Sequence, residues 1–549
     1  MAVCDRRSSL GRELALHGVL LALVMVRNCA AGLAYWPQLD DYIQHHNYAS
    51  QFTFSQLQDT VGVLASRPLA GLADYFLWSP LFDRMIWGVV LMSLLYVAAI
   101  WMAEALIRRY FPLGPVFPVV MALLPLGVEG TYWMSASTRV VCGLFFACLA
   151  ALAFGRWLDD GGWGRALAFL ALMTVPFGFY EQSAVLAMTL VLGMAVLEGR
   201  RRWKRGLLAL WAFPAAGLYF AVTGLLSNGG VYGNRAQLFL PNQAGYWTGF
   251  FPNITGQIWN VLGPGGWAVL SRGFLRGLEL VCREGMFLWA VLAAALCLLY
   301  GWLAARQGGG EERPRTALAL AVGALLAAAP LTVFLILANP WFSFRGAVTS
   351  FVGLALMADT LVSALWRRLP GKRVGPAALS ALLALVFCVA GASEIRDYRD
   401  TWAADQQAAR AVLDTLDRDL PEAEDRAGLR VGVLGLEPTF LPGQNFPWHE
   451  HVHGCTESGW AFTGLLVSLA GGDVLPSVTP LPTDPIYRPW NAPVNDPRGF
   501  DVLYYYRDGA LSRVFLAEDG TGGLLVTDGQ GRTLGAIREE NGVGRFRAF

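Results

Sequence analysis

Long apolar runs separated by short polar links fill residues 1–393, and most approach the ~20 residues an α-helix needs to cross about 30 Å of hydrocarbon. The first is 15–33 (ALHGVLLALVMVRNCAAGL). Others follow at 86–106, 112–128, 140–155, 166–180, 183–197, 207–226, 286–304, 317–338, 348–366 and 375–393. The pattern predicts a polytopic α-helical membrane protein with about eleven transmembrane helices. Pro115, Pro118 and Pro125 interrupt the 112–128 run, so that segment is open to a re-entrant course as well as to a crossing. From residue 394 the pattern changes. A charged stretch of helical period (EIRDYRDTWAADQQAARAVLDTLDRD) ends before Pro421, and strand candidates follow at 429–436, 501–506 and 522–529, each bounded by Gly, Pro or Asp. This predicts two parts: a transmembrane domain over 1–393 and a small soluble α/β domain over 394–549.

Composition agrees. Hydrophobic residues make up 55% of the chain against 15% charged, and the mean hydropathy is +0.43, which excludes an ordinary soluble globule. The 42 basic and 41 acidic side chains nearly cancel, so net charge gives no reason to expect a nucleic-acid partner. Their distribution sets an orientation. If Arg6, Arg7 and Arg12 hold the N-terminus inside, alternation places the clusters at 108–109, 156–165, 200–205, 306–315 and 367–373 on the same side. The opposite side receives the loops 34–85 and 228–285, the links 129–139 and 339–347, and the tail. No small-residue cleavage site follows the first run, so it is expected to stay as an anchor. Compact, arginine-rich loops point to a bacterial inner membrane, with a cytoplasmic N-terminus and a periplasmic tail. Of eight cysteines, Cys282 and Cys455 are placed to pair outside, although spacing alone does not decide it.

Candidate chemistry gathers on the outer side. LDDYIQHHNY (39–48) puts Asp40 and Asp41 just after the first helix, flanked by Tyr35, Trp36 and Tyr42, aromatic groups suited to the interface or to stacking on a sugar ring. Glu129 and Arg139 lie in GVEGTYWMSASTRV, Tyr180 and Glu181 in FGFYEQS, and Arg345 in NPWFSFRG. Glu181 joins two apolar runs with little loop between them. It belongs either to a tight hairpin in water or near the membrane surface, where an ionised group is costly unless it faces protein or water.

An acidic pair directly after the first membrane helix, about a dozen crossings and a soluble C-terminal domain resemble the GT-C superfamily of integral-membrane glycosyltransferases. The local motif is Leu39-Asp40-Asp41-Tyr42; members related to protein mannosyltransferases and lipid A aminoarabinose transferases often carry Asp-Glu where this chain has Asp40-Asp41. The resemblance implies transfer of a hexosyl or pentosyl group, with inversion, from a polyprenyl-phosphate donor to a lipid, glycan or protein acceptor. That chemistry needs a carboxylate to take the acceptor's proton, and a cation rather than an acid for the phosphate leaving group. Asp40 is the expected base, with Asp41 orienting acceptor or metal. Arg345, then Arg139 and Arg67, are candidates for the phosphate, and Tyr42, Trp36, Glu129, Glu181 and Tyr180 for sugar or acceptor.

No cofactor is demanded, but a divalent metal is open. His45 could join Asp41 at helical spacing, and His449, His451 and His453 alternate so that an extended segment would present all three on one face, an arrangement suited to zinc. Without HExxH or paired CxxC spacing, a polar loop is the plainer reading of the latter. A lipid-linked glycan flippase and a glycan polymerase or ligase are rival classes. The first would favour pseudo-symmetric halves, which the sequence lacks.

Overall fold

Inside hydrocarbon the backbone must satisfy its own polar groups, and the apolar runs accordingly fold as helices. The computed structural model describes residues 2–199, 202–227, 230, 237–306, 315–338, 340–367, 374–422, 426, 428–437, 452, 454–471, 475–481, 497–520, 522–540 and 543–549. Its helices include α1 (Ala2–Asn28), α2 (Ile86–Arg108), α3 (Val116–Leu123), α4 (Met134–Asp160), α5 (Trp163–Phe179), α6 (Glu181–Glu198), α7 (Ala212–Leu226), α8 (Gly266–Arg283), α9 (Phe287–Ala305), α10 (Thr316–Ala328), α11 (Phe351–Trp366), α12 (Val374–Asp419) and α13 (Gly459–Ala470). Among the described residues, eight helical segments are long and apolar enough to cross a membrane. Outward-facing apolar side chains such as Trp87, Leu288 and Leu298 suit contact with lipid rather than water.

The chain divides into two compact units. Among the described residues, the first comprises those of Met1–Tyr35 and Phe54–Arg396, and the second those of Trp36–Thr53, Asp397–Asn445 and Val452–Phe549. The segment carrying the acidic pair, read from sequence as part of the 34–85 loop of the membrane domain, thus groups with the tail.

In the first unit the run at 112–128 is not one helix. It breaks into α3, a turn at Pro125–Gly127 and a single helical turn at Val128–Thr131. Leu124 (φ −53°, ψ 120°) precedes Pro125, whose ring excludes the helical conformation from the residue before it. Both ends of α3 are satisfied by buried side chains from elsewhere. The Asp359 carboxylate, on α11, accepts from the N–H groups of Gly114 (2.7 Å), Val116 (3.1 Å) and Phe117 (3.3 Å). At the other end, Arg27 donates to Ala122 O (3.0 Å) and the Tyr96 hydroxyl to Met121 O. Arg27 is wholly buried, and also donates to Asn28 Oδ1 and Thr131 Oγ1. An anion at the N-terminus and a cation at the C-terminus also complement the helix dipole.

Close helix packing uses small residues. A Cβ on Gly323 of α10 would meet Met357 Cγ at 2.6 Å, and one on Gly353 of α11 would collide with the Gly323 carbonyl.

The second unit contains a seven-stranded sheet of order β2-β1-β3-β4-β5-β6-β7. β1 (Arg430–Leu434) lies parallel to β2 (Ser477–Leu481) and β3 (Val502–Arg507). An antiparallel meander continues through β4 (Ala510–Glu518), β5 (Leu524–Asp528), β6 (Thr533–Glu540) and β7 (Val543–Ala548). The β3–β4 turn is Asp508-Gly509, both at positive φ (51° and 81°), as a two-residue hairpin of matching twist requires. Leu434, Leu503, Val514, Val526, Ile537 and Phe546 form the core of the sheet. On β2, Val478 exchanges hydrogen bonds with Thr463 of α13.

Replacing Asp359 by Leu strips three buried N–H groups of their acceptor, at about 1–3 kcal/mol for each left unpaired. We expect the detergent-solubilised variant to lose several kcal/mol, read as a much lower unfolding midpoint; an unchanged midpoint would mean the break in α3 needs no anionic cap.

Candidate functional site

In the first unit, Arg67 precedes a short helix (Pro68–Ala73) and turns its fork onto Glu181, the first residue of α6. Nε lies 3.2 and 3.1 Å from the two carboxylate oxygens, and Nη2 lies 3.0 Å from Oε2. The Tyr180 ring sits 4.8 Å from the guanidinium carbon, and the Tyr219 hydroxyl donates to Glu181 Oε1 at 3.3 Å. Burial works against the Arg67 charge, but the Glu181 carboxylate more than offsets it and holds the guanidinium above its ordinary pKa. Placing Glu181 at a helix N-terminus adds a favourable dipole.

Arg345 and Glu129 form the second pair. The Glu129 carboxylate is 1% exposed and accepts from Ser343 Oγ (2.9 Å) and the Arg345 backbone N–H (2.9 Å). This close approach depends on Gly130, where a Cβ would lie 3.1 Å from Arg345 Cα. The Arg345 side chain meets Glu129 only loosely, Nε to Oε1 at 3.7 Å, and lies over the Trp133 ring at 5.2 Å with 29% of its surface exposed. Among the described residues its Nη groups make no hydrogen bond, so two donors remain available to an anion. The Tyr180 phenol is within electrostatic range of Arg67, Arg345, Glu181 and Glu129, which joins both pairs into one polar cluster.

Arg139 has a partner that the sequence did not identify. Its Nη2 lies 2.6 Å from Asp74 Oδ2. Arg67 and Arg139 are thus both committed to carboxylates, whereas Arg345 is the phosphate candidate with open donors.

The second unit separates the two aspartates of the opening motif. Asp41 is fully buried. Its Oδ2 accepts the Gln38 N–H at 2.9 Å, the Asp41 N–H returns to Gln38 O at 2.8 Å, and Oδ1 lies 3.4 Å from His45 Nδ1. The two bonds close a tight turn, with the Asp41 side chain accepting from the backbone at its start. A π-helical stretch, Tyr42–Asn47, comes next. Asp40 instead is partly exposed and, among the described residues, makes no hydrogen bond or ion pair. It follows Leu39, whose φ of 35° is unusual for a side chain branched at Cγ.

Tyr42 and Trp36 serve packing in this unit. Tyr42 is buried and accepts from Gln406 Nε2 at 3.1 Å, while Trp36 lies against Trp402 with ring centroids 5.0 Å apart. Burial, then the Cys455 thiol and the Asp405 carboxylate, push the Tyr42 phenol well above its usual pKa, so it stays protonated at neutral pH. Cys455 is likewise raised by burial and then by Asp405, which accepts its backbone N–H at 2.7 Å. Cys282 and Cys455 are both free thiols, the first exposed and the second buried.

Among the described residues no group of three or more His, Cys, Asp or Glu side chains is arranged to hold a metal. His449, His451 and His453 lie outside the described residues. Neither the protein-family models nor the curated protein sequences give a match to this chain.

Two outcomes test this geometry. Single and double replacement of Arg67 by Met and Glu181 by Gln is expected to give a coupling energy of about 1–3 kcal/mol in unfolding measurements; additive losses would mean that the bidentate contact contributes nothing. Alkylation of the native protein is expected to modify Cys282 and leave Cys455 thiol intact until denaturant is added, as peptide mass mapping would read.

Proposed function

We propose that this chain is a multi-pass glycosyltransferase resembling the GT-C superfamily, transferring a sugar from a polyprenyl-phosphate donor to a lipid, glycan or protein acceptor. In this reading it has about eleven crossings, counting segments shorter than a full span, and lies in a bacterial inner membrane with its N-terminus cytoplasmic and its second unit periplasmic. The observation that carries the reading is the contrast between neighbours. Asp41 is spent on holding the turn, and Asp40, presented after a strained Leu39, is left with an open carboxylate. A structural acidic pair has no need of that division.

The chemistry rests on one displacement. The acceptor hydroxyl gives its proton to Asp40 as its oxygen bonds to the anomeric carbon. The bond from that carbon to the phosphate oxygen breaks, and polyprenyl phosphate leaves with the electron pair. Attack opposite the leaving group inverts the anomeric centre. No acid is needed for a phosphate leaving group, whose growing charge a guanidinium suits.

Purified protein with a radiolabelled polyprenyl-phosphate-sugar pool tests the reading. Asp40→Asn is expected to lower transfer by about 10²–10⁴-fold with unfolding behaviour unchanged, the range for loss of a general base. Transfer by Asp40→Asn equal to that of the unaltered protein would remove Asp40 from the chemistry.

A further inference from the structure

The second unit holds a cavity of about 610 Å³ that neither the polar cluster nor the acidic pair uses. One wall is the face of α12 repeating every three or four residues from Trp402 to Arg418, and the other is the β3–β4 hairpin at Gly509–Leu511. The tight Asp508-Gly509 turn brings the hairpin close to the helix: a Cβ on Gly509 would lie 3.8 Å from Gln407 Nε2.

Its lining selects a type of ligand. Trp402 offers an aromatic surface, held by Trp36 beside it. Gln407 supplies an amide that both donates and accepts, and Arg410 and Asp414 supply a fork of donors and a pair of acceptors one helical turn apart. Among the described residues, Gln407, Arg410 and Asp414 make no hydrogen bond or ion pair, so their polar groups are not already used within the fold. Charge in and immediately beside the cavity balances, with Asp419 lying just outside the lining. Arg410 and Asp414 carry opposite charges without pairing, and Arg418 is paired with Asp419 at 2.9 Å. A neutral lining gives no net attraction for a phosphate or a nucleotide, and its density of amide and charged groups does not suit an acyl chain. An uncharged, polyhydroxylated ring meets each requirement: an apolar face for Trp402, and hydroxyls that both donate and accept for the remaining groups.

We infer that this cavity is a binding site for an uncharged saccharide of a few residues, with Trp402 as the platform and Gln407, Arg410 and Asp414 as hydroxyl partners. The inference deepens the proposed transfer reaction and rests on it in one respect: it makes the acceptor a glycan, held by the second unit.

The test uses the full chain in lipid nanodiscs, because detergents with sugar headgroups would compete. Tritiated neutral tri- to hexasaccharides of glucose, galactose, mannose, rhamnose and N-acetylglucosamine are the probes. At least one is expected to bind in the absence of donor, with an affinity that changes little between low and high salt. Gln407→Ala with Asp414→Ala, both at exposed positions, is expected to weaken it about tenfold, as loss of two hydrogen-bond partners implies. Absence of binding by every probe, binding untouched by the double variant, or steep salt dependence would each overturn the inference. Transfer by Asp40→Asn is measured alongside. Saccharide binding with transfer unaffected by Asp40→Asn leaves the cavity standing and removes the proposed base; loss of transfer without saccharide binding does the reverse.

Discussion

A helix that stops inside an apolar bundle leaves backbone groups that water cannot reach, and these must find partners in the protein. That constraint organises the first unit. Pro125 ends α3 after eight residues, and the bundle answers with Asp359 at one end and Arg27 with Tyr96 at the other. Each of these is a polar side chain that would be costly where it lies without the broken helix, and the broken helix would be costly without them. The elements are mutually required, so none can be read alone.

The polar cluster is built on the chain just beyond that break. Once the backbone has left α3, the single turn Val128–Thr131 carries Glu129 and Gly130 to the stretch that holds Ser343 and Arg345. Glu129 uses its carboxylate largely on a hydroxyl and a backbone N–H, which is why Arg345 keeps its donors. Arg67 and Glu181 show the opposite arrangement, a fork closed on a carboxylate. Two arginines near one tyrosine therefore have different chemical reach, decided by how many acceptors the neighbouring glutamate has left.

Much of this was visible in the order of residues and some was not. The apolar runs fixed where most helices lie, and three strands fall close to their expected limits because Gly, Pro and Asp mark their ends. The helix at 459–470 and strands β2, β4, β6 and β7 gave no clear signal. β4, for one, is a nine-residue antiparallel strand with mostly exposed positions, so its apolar pattern is weak. The acidic pair, the buried-edge glutamates and Arg345 stood out as charges beside apolar runs. Their partners did not, since Asp74, Ser343 and Tyr219 are ordinary residues until folding brings them to Arg139, Glu129 and Glu181. Asp40 and Asp41 could be distinguished only by the turn that buries one carboxylate and leaves the other partly exposed. The cavity left a fainter trace, the spacing of four between Trp402, Gln406, Arg410 and Asp414, which equally describes any solvated helix.

The caps on α3 also impose an order in time. Arg27 precedes Ala122 by 95 residues, so the carbonyl end of α3 has its cation as soon as the helix leaves the ribosome. The N–H end must wait for Asp359, another 245 residues after Gly114. Until that carboxylate is present, the Gly114, Val116 and Phe117 N–H groups have no acceptor of this kind. The broken helix in the N-terminal half is therefore fully satisfied only once α11, far along the chain, is in place.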